Sequence, residues 1–320
     1  MSSFSPIDLS KVKTYPLSQR KNKVSIKDFA TPPKGNDVFM DFLDSLPNIL
    51  AGQDFRKLIE HIVSAYNKGK PVVAMMGGHV IKCGLSPVII SLMEKGIINA
   101  IALNGAGSIH DFELALIGET SEDVAENIQN GTFGMSEETG WLMNEAIKDA
   151  AEKNCGMGEG LGRKLLELNP PYLEYSLLVA SIRHEIPLTI HVAIGTDIIH
   201  QHPATDGAAI GQTSFTDFRT FVSVVSELGN GGVLLNLGSA VLLPEVFLKA
   251  LTVARNLGHN VVNFTTANFD MIQHYRPNEN VVKRPTNMGG QGYAFTGHHE
   301  IMIPLLANAI IERISHRENH

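Results

Sequence analysis

Only two cysteines, Cys83 and Cys155, and a single tryptophan, Trp141, occur in 320 residues. Two thiols cannot build a disulfide framework, and no zinc-finger spacing of Cys and His accompanies them, so a reducing, cytoplasmic setting is expected. Positive charge is also short: 26 Lys+Arg against 33 Asp+Glu leave a formal charge of −7. With no basic excess to neutralise phosphates, a nucleic-acid partner is not expected, whereas a small polar or cationic ligand is. Long apolar runs are missing as well. The most apolar stretch, 231–247, is broken by Asn236, Ser239, Pro244 and Glu245, which suits a buried strand and a helix start, so no membrane partner is expected. Residues 1–13 show neither a signal-peptide nor a transit-peptide pattern.

What is present is a globular composition, 43% hydrophobic and 18% charged, enough to bury a large core. Residues 1–36 lack apolar periodicity and end on Thr31-Pro32-Pro33-Lys34-Gly35-Asn36, a string of turn residues, so they predict an N-terminal arm of the kind that touches a neighbouring subunit. Residues 37–320 predict a single domain, since no linker composition divides them. Apolar residues at helical spacing, Phe39 to Leu43 and Phe55 to Val63, predict two helices before Gly69. Six short apolar runs follow, each stopping at small or polar residues: 71–76 at Gly77-Gly78, 97–103 at Asn104-Gly105-Ala106-Gly107-Ser108, and 187–194 at Gly195-Thr196-Asp197. The others are 232–237 at Gly238-Ser239, 260–264 at Thr265-Thr266-Ala267, and 293–295 at Thr296-Gly297-His298-His299. Helical spacing fills 85–95, 136–153, 161–168, 172–184, 215–228, 245–257 and 301–314. Alternating buried strands and crossover helices imply an α/β protein with a doubly wound, mostly parallel, Rossmann-like sheet.

In such a sheet ligands bind beyond the carboxyl ends of the strands, and here those ends carry Gly, Asn, Thr, Asp and His. Small residues let backbone approach a pyrophosphate at a helix start, so a dinucleotide is a reasonable ligand. Gly105-Ala106-Gly107 opens like a dinucleotide fingerprint, but His110 stands where a third glycine would be, and a tight strand-to-helix turn explains the loop better when it is taken alone. His79, His110, His200, His202, His298 and His299 also fall at strand ends, beside Asp111, Asp197 and Asp206. Imidazoles gathered there would serve proton transfer from an amine or hold a divalent ion; each taken singly is as well read as a hydrogen-bonded loop residue. Glu279 and Lys283 lie in a segment, 268–291, that reads as long and irregular, a feature common at functional sites.

The order of these motifs resembles the deoxyhypusine synthase family over roughly 72–310. The resemblance rests on Gly78-His79-Val80-Ile81-Lys82-Cys83-Gly84, Asn104-Gly105-Ala106-Gly107-Ser108-Ile109-His110-Asp111, and Thr205-Asp206-Gly207-Ala208-Ala209-Ile210-Gly211, with Gly238-Ser239, Thr265-Thr266-Ala267, Arg276-Pro277-Asn278-Glu279 and Pro304-Leu305-Leu306 behind them. It implies a homotetrameric, Rossmann-like transferase that uses NAD to oxidise a polyamine and passes the aminoalkyl fragment through a lysine imine. It places Gly78, His79, Ala106, Gly107, Asp206, Gly207, Thr266 and Ala267 at the cofactor, Asp111 at an acidic position of the second loop, and Glu279 at the polyamine. Counted without gaps, the imine-forming lysine of the family falls on Pro285, and Lys283 stands two residues earlier. The resulting expectation is an NAD-dependent transferase acting on a small amine or polyamine, not on a protein lysine, with Lys283, His110, Asp111 and Glu279 as catalytic residues. The alternatives are a metal-dependent hydrolase using His200, His202 and His298 or His299, and a non-catalytic protein that binds NAD or polyamine.

Overall fold

A computed structural model describes residues 4–35 and 38–318, in two compact units, Met1–Gln53 and Asp54–His320. In the first, 3-10 turns at Leu17–Gln19 and Ile26–Asp28 precede helix α1 (Phe39–Ser45). Backbone bonds from Thr31 to Ser45 and from Asn48 to Asp28, both 2.9 Å, join the extended segment to the end of α1. Phe4, Ile7, Leu9, Tyr15 and Ile26 remain exposed along it. The arm boundary expected between Asn36 and Asp37 lies outside the described residues.

The second unit is built on six parallel strands in the order β3-β2-β1-β4-β5-β6. In chain order they are β1 (Val72–Met76), β2 (Ala100–Asn104), β3 (Leu188–His191), β4 (Val233–Leu237), β5 (Thr265–Asp270) and β6 (Gln291–Thr296). The chain moves outward from β1 to β3, returns to the middle, and moves outward again from β4 to β6. Its switch point therefore lies between β1 and β4, and the α/β, doubly wound expectation holds. The early helices are α2 (Leu50–Asn67), α3 (Gly78–Lys82), α4 (Ser86–Glu94), α5 (Gly105–Ile117), α6 (Val124–Asn130), α7 (Glu137–Glu152), α8 (Met157–Leu168) and α9 (Leu177–Arg183). They are followed by α10 (Gly207–Ser226), α11 (Leu242–Asn256), the single turn α12 (Tyr275–Pro277) and α13 (His299–Glu318).

Alternation along each strand sends side chains to two cores. Val73, Met75 and Leu234 pack under α10 and α11 with Phe221, Val225, Phe247 and Leu251. Val72, Leu235 and Leu237 face α2, α4 and α13 through Ile62, Ile89, Leu92, Ile303 and Ile310. Each such side chain contributes roughly 1.5–3 kcal/mol of burial.

Several expected boundaries shift for local reasons. The fifth strand occupies Thr265–Asp270 instead of 260–264, so Thr266 and Ala267 are strand residues, not a loop. α10 begins at Gly207, eight residues before 215, because the Asp206 side chain accepts from Ala208 and Ala209 and caps the helix there. The stretch 268–291 is ordered: α12 runs into a π-helical turn, Asn278–Lys283, and a 3-10 turn, Pro285–Asn287.

Candidate active site

At the carboxyl edge of the sheet, β1 and β2 turn into helices with almost no loop: Gly77 caps α3 and Asn104 caps α5, its side chain taking the Gly107 N–H at 2.8 Å. The two turns pack face to face. A Cβ on Gly78 would lie 2.9 Å from His110 Cδ2 and 3.2 Å from the Ala106 carbonyl carbon, so Gly78, Ala106 and His110 are brought together. Residues four apart share a helix face, and α3 therefore has two working sides. Gly78 and Lys82 belong to the side toward α5. His79 and Cys83 belong to the other, where His79 Nε2 lies 3.4 Å from Cys83 Sγ, Glu300 Oε2 3.8 Å from the same sulfur, and the His79 and His299 rings 5.9 Å apart. Burial, and then the Glu300 charge, push the Cys83 thiol up, so it is held protonated. Gly238, after β4, has φ 71°, and a side chain there would meet His299 Nε2 at 2.6 Å; only glycine fits this left-handed position at the switch point.

On the Gly78 side a cavity of about 320 Å³ opens between α5, the end of α3 and the segment after β3. Lys82, His110, Glu113, Glu122 and Asp197 line it together with Ala106, Ile109, Val124, Phe133 and Ile198. His110 is held through one ring nitrogen: Nδ1 lies 2.8 Å from Thr120 Oγ1, and that hydroxyl donates to Glu113 Oε2. A hydroxyl that donates to Glu113 accepts from His110, so the proton sits on Nδ1 and Nε2 is left as a lone pair. Burial first, then the Lys82 charge, push His110 down to about 4, so the ring is neutral near pH 7.

Across the cavity, His200 Nδ1 accepts from the N–H groups of Gly195 and Asp197 at 3.1 and 3.3 Å, which puts its proton on Nε2. That Nε2 and Asp197 Oδ2 are 4.0 Å apart, with 4% and 8% of the side chains exposed, and neither has a hydrogen-bond partner. Burial alone pushes Asp197 up to about 6. A Cβ on Gly105 would run into this carboxylate, which rests on the first residue of α5.

The remaining expected residues are dispersed. Asp111 points away from the cavity: fully buried, it accepts from Ser176 Oγ (2.6 Å), Leu177 N (2.7 Å) and Leu178 N (3.1 Å), and so anchors the start of α9. The side chain of Asp206 is taken up in capping α10, beside an exposed Gly207. Thr266 and Ala267 are buried in the first half of β5, and Thr266 Oγ1 donates to the Val281 carbonyl. That bond ties Val281 to the sheet, while the neighbouring Asn280 Nδ2 donates to Glu245 Oε1 at 2.8 Å in the first turn of α11. Glu279 and Lys283 pair with each other in the π-helical turn, at 2.7 Å, and neither lines the cavity beside His110. The Lys283 and Arg284 charges hold the Glu279 carboxyl below its usual range.

The histidine metal set is also corrected. His202 packs on Gly140 and Trp141 while His200 turns toward Asp197. His299 folds back over the switch point, against Gly238 and 5.9 Å from the His79 ring, and His298 pairs with Glu300 at 3.8 Å. Among the described residues no group of three His, Cys, Asp or Glu side chains is placed to hold a metal ion. Lys82, Glu113 and Thr120 were not expected at the site. Lys82 at four residues from Gly78 and Glu113 at three from His110 carry the helical signal that would have found them, but α3 and the start of α5 read as loops.

No family model matches the chain, and no curated protein matches its sequence. Solved structures do match. ArgZ, an arginine dihydrolase from the ornithine–ammonia cycle in cyanobacteria, aligns over 82% of this chain and 31% of its own, at 14% identity and a TM-score of 0.50. AgrE, in a ternary complex with ornithine and NAD+, aligns over 82% and 33%, at 12% identity and 0.50. A candidate deoxyhypusine synthase from Entamoeba histolytica aligns over 88% and 96%, at 10% identity and 0.49. The chain spans about a third of the length of ArgZ and of AgrE. At these identities the likeness is one of architecture.

Proposed function

We propose that the protein is an NAD-using enzyme that oxidises a small amine in the cavity between α5 and the segment after β3. The observation that carries this reading is His110: neutral, oriented by Thr120 and Glu113, and with Nε2 unbonded beside the strand ends where dinucleotides bind in this fold. The chain fits the cofactor at the switch point. Gly77, Gly78 and Gly238 let the turns pack closely there, and His299 Nδ1 is buried without a partner, an orphaned polar atom that a polar ligand would satisfy. Gly78, Ala106 and Gly107 would hold the dinucleotide, with the first-turn N–H groups of α5 available to its phosphates. The cavity itself is at the small end of ligand pockets and suits the substrate rather than the dinucleotide.

When bound, the nicotinamide ring supplies a hydride acceptor for the carbon that bears the amine. The protein prepares that carbon. An ammonium has no lone pair to push the hydride out, so His110 Nε2 takes one of its protons, and Glu113, through Thr120, stabilises the imidazolium that results. Ile109, Val124, Phe133 and Ile198 keep the carbon chain out of water. Passage of an aminoalkyl fragment to a second amine, the transferase half, would need no lysine of the protein: the acceptor amine adds to the oxidised carbon, the original amine leaves from it, and that carbon takes back the hydride it gave up. The NAD+ complex of AgrE, which shares this architecture over a third of its length, supports the cofactor. Titration with NAD+ and a panel of primary amines tests the proposal: reduced nicotinamide should accumulate in the native protein and not in His110→Ala.

A further inference from the structure

The cavity is bipolar, and its two poles are unused. Three carboxylates line it, Glu113, Glu122 and Asp197. Glu113 accepts from Thr120 and Thr139, one at each oxygen. Glu122 accepts from Gly134 N at 2.8 Å and Asn127 Nδ2 at 2.7 Å, again one at each oxygen. Asp197 alone keeps an oxygen without a partner, and it is the most enclosed of the three positions to leave so: 8% of its side chain is exposed, and the unpartnered Nε2–H of His200 stands 4.0 Å away. A carboxylate this enclosed and this poorly hydrogen-bonded costs folding free energy, and a cation at the cavity wall would offset it.

The other pole is Lys82. It is the one Lys or Arg lining the cavity, and among the described residues it pairs with no acid, Asp197 included. Its ammonium is close enough to lower the basicity of His110, which places its charge at the α3 wall of the same cavity. Between the poles the walls are hydrocarbon: Ala106, Ile109, Val124, Phe133 and Ile198. A ligand carrying only ammonium groups would satisfy Asp197 and face the like charge of Lys82 at the other wall. One that carries an ammonium at one point, a carboxylate at another and a short apolar chain meets an opposite charge at each pole.

Building on the amine reading above, we infer that the substrate is a zwitterionic amino acid, its ammonium received by Asp197 with His200 behind it and its carboxylate received by Lys82. His110 then stands between the two poles, beside the carbon that joins them. Lys82 and Asp197 are the specificity residues, one for the acid group and one for the amine.

Matched ligands that differ by one carboxylate test this: L-norleucine against pentylamine, and L-lysine against cadaverine, titrated calorimetrically into the full-length protein with and without NAD+. Each amino acid should bind at least about tenfold tighter than its decarboxylated partner. Lys82→Met should shrink that gap to less than about threefold by weakening the amino acids alone, while Asp197→Asn should weaken all four ligands. Equal or tighter binding of the amines, a gap unchanged in Lys82→Met, or no binding by either amino acid overturns the inference. If the amines bind and are oxidised, the enzyme reading stands and only the substrate class falls. If NAD+ fails to bind, the enzyme reading falls, and the preference for amino acids is still read from the titrations without it.

Discussion

Replacing Asp111 by alanine separates a structural carboxylate from a catalytic one. Its oxygens accept from Ser176 Oγ, Leu177 N and Leu178 N at 2.6, 2.7 and 3.1 Å, with no solvent exposure. Truncation leaves three buried donors, and each unsatisfied group costs about 1–2 kcal/mol, so the loss should be about 3–6 kcal/mol. At about 2 °C per kcal/mol for a chain of this size, the Tm should drop by roughly 6–12 °C. The pH dependence has a definite sign. Burial raises the folded value from 3.8 to about 6 against the pull of those three hydrogen bonds. A group raised on folding contributes most at low pH and loses that contribution as pH rises through its folded value. The penalty of Asp111→Ala should therefore be larger near about pH 5 than near about pH 8, by about 1.4 kcal/mol. Scanning calorimetry across that range reads both quantities. A Tm within about 2 °C of the native protein at every pH, or a penalty that grows with pH, refutes the anchoring role.

His110→Ala should lower amine oxidation by roughly 10²–10⁴-fold with little change in Tm, as expected for a proton acceptor whose ring is 17% exposed; steady-state kinetics beside a melting curve checks it, and equal loss of both would mean a packing role. Lys283→Met and Glu279→Gln should leave NAD+ affinity and turnover within about twofold, because their ion pair is at the surface; a collapse in rate would return Lys283 to the chemistry. Asp217, pushed from 3.8 up to about 7 by burial while it accepts from Gly158 and Ile190, should make the native protein lose stability between about pH 4 and pH 7. In Asp217→Asn that decline should flatten, as denaturant midpoints at each pH would show.

The strand periodicity was legible because parallel strands buried on both faces read as short apolar runs, and five of the six fell in place to within a few residues. The fifth, Thr265–Asp270, was hidden: its residues Thr265, Thr266, Asn268 and Asp270 are polar, and burial is made possible by bonds such as Asn236 Nδ2 to Asn268 Oδ1 at 2.7 Å. Polar runs inside a sheet look like the loop that should follow it. The same blindness concealed α3 and the first turn of α5, whose Gly-rich starts begin at the strand end itself. Gly78, Ala106 and His110 do converge as the motif order suggested, whereas Asp111, one residue on from His110, faces the opposite way along α5 and serves α9. Lys283 was nominated by distance along the chain. Its real position follows from the Thr266–Val281 hydrogen bond, a long-range contact that residue spacing does not encode.

The proposed enzyme holds a nicotinamide dinucleotide at the carboxyl edge of this sheet, against a small amine presented to His110. A crystal of the native protein grown with NAD+ and L-norleucine tests it most directly. The dinucleotide should cross the β1–β4 switch point over Gly78 and Gly238, with its nicotinamide ring at the cavity and the ligand nitrogen within hydrogen-bond reach of His110 Nε2. A dinucleotide bound elsewhere, or none at millimolar NAD+, contradicts the account.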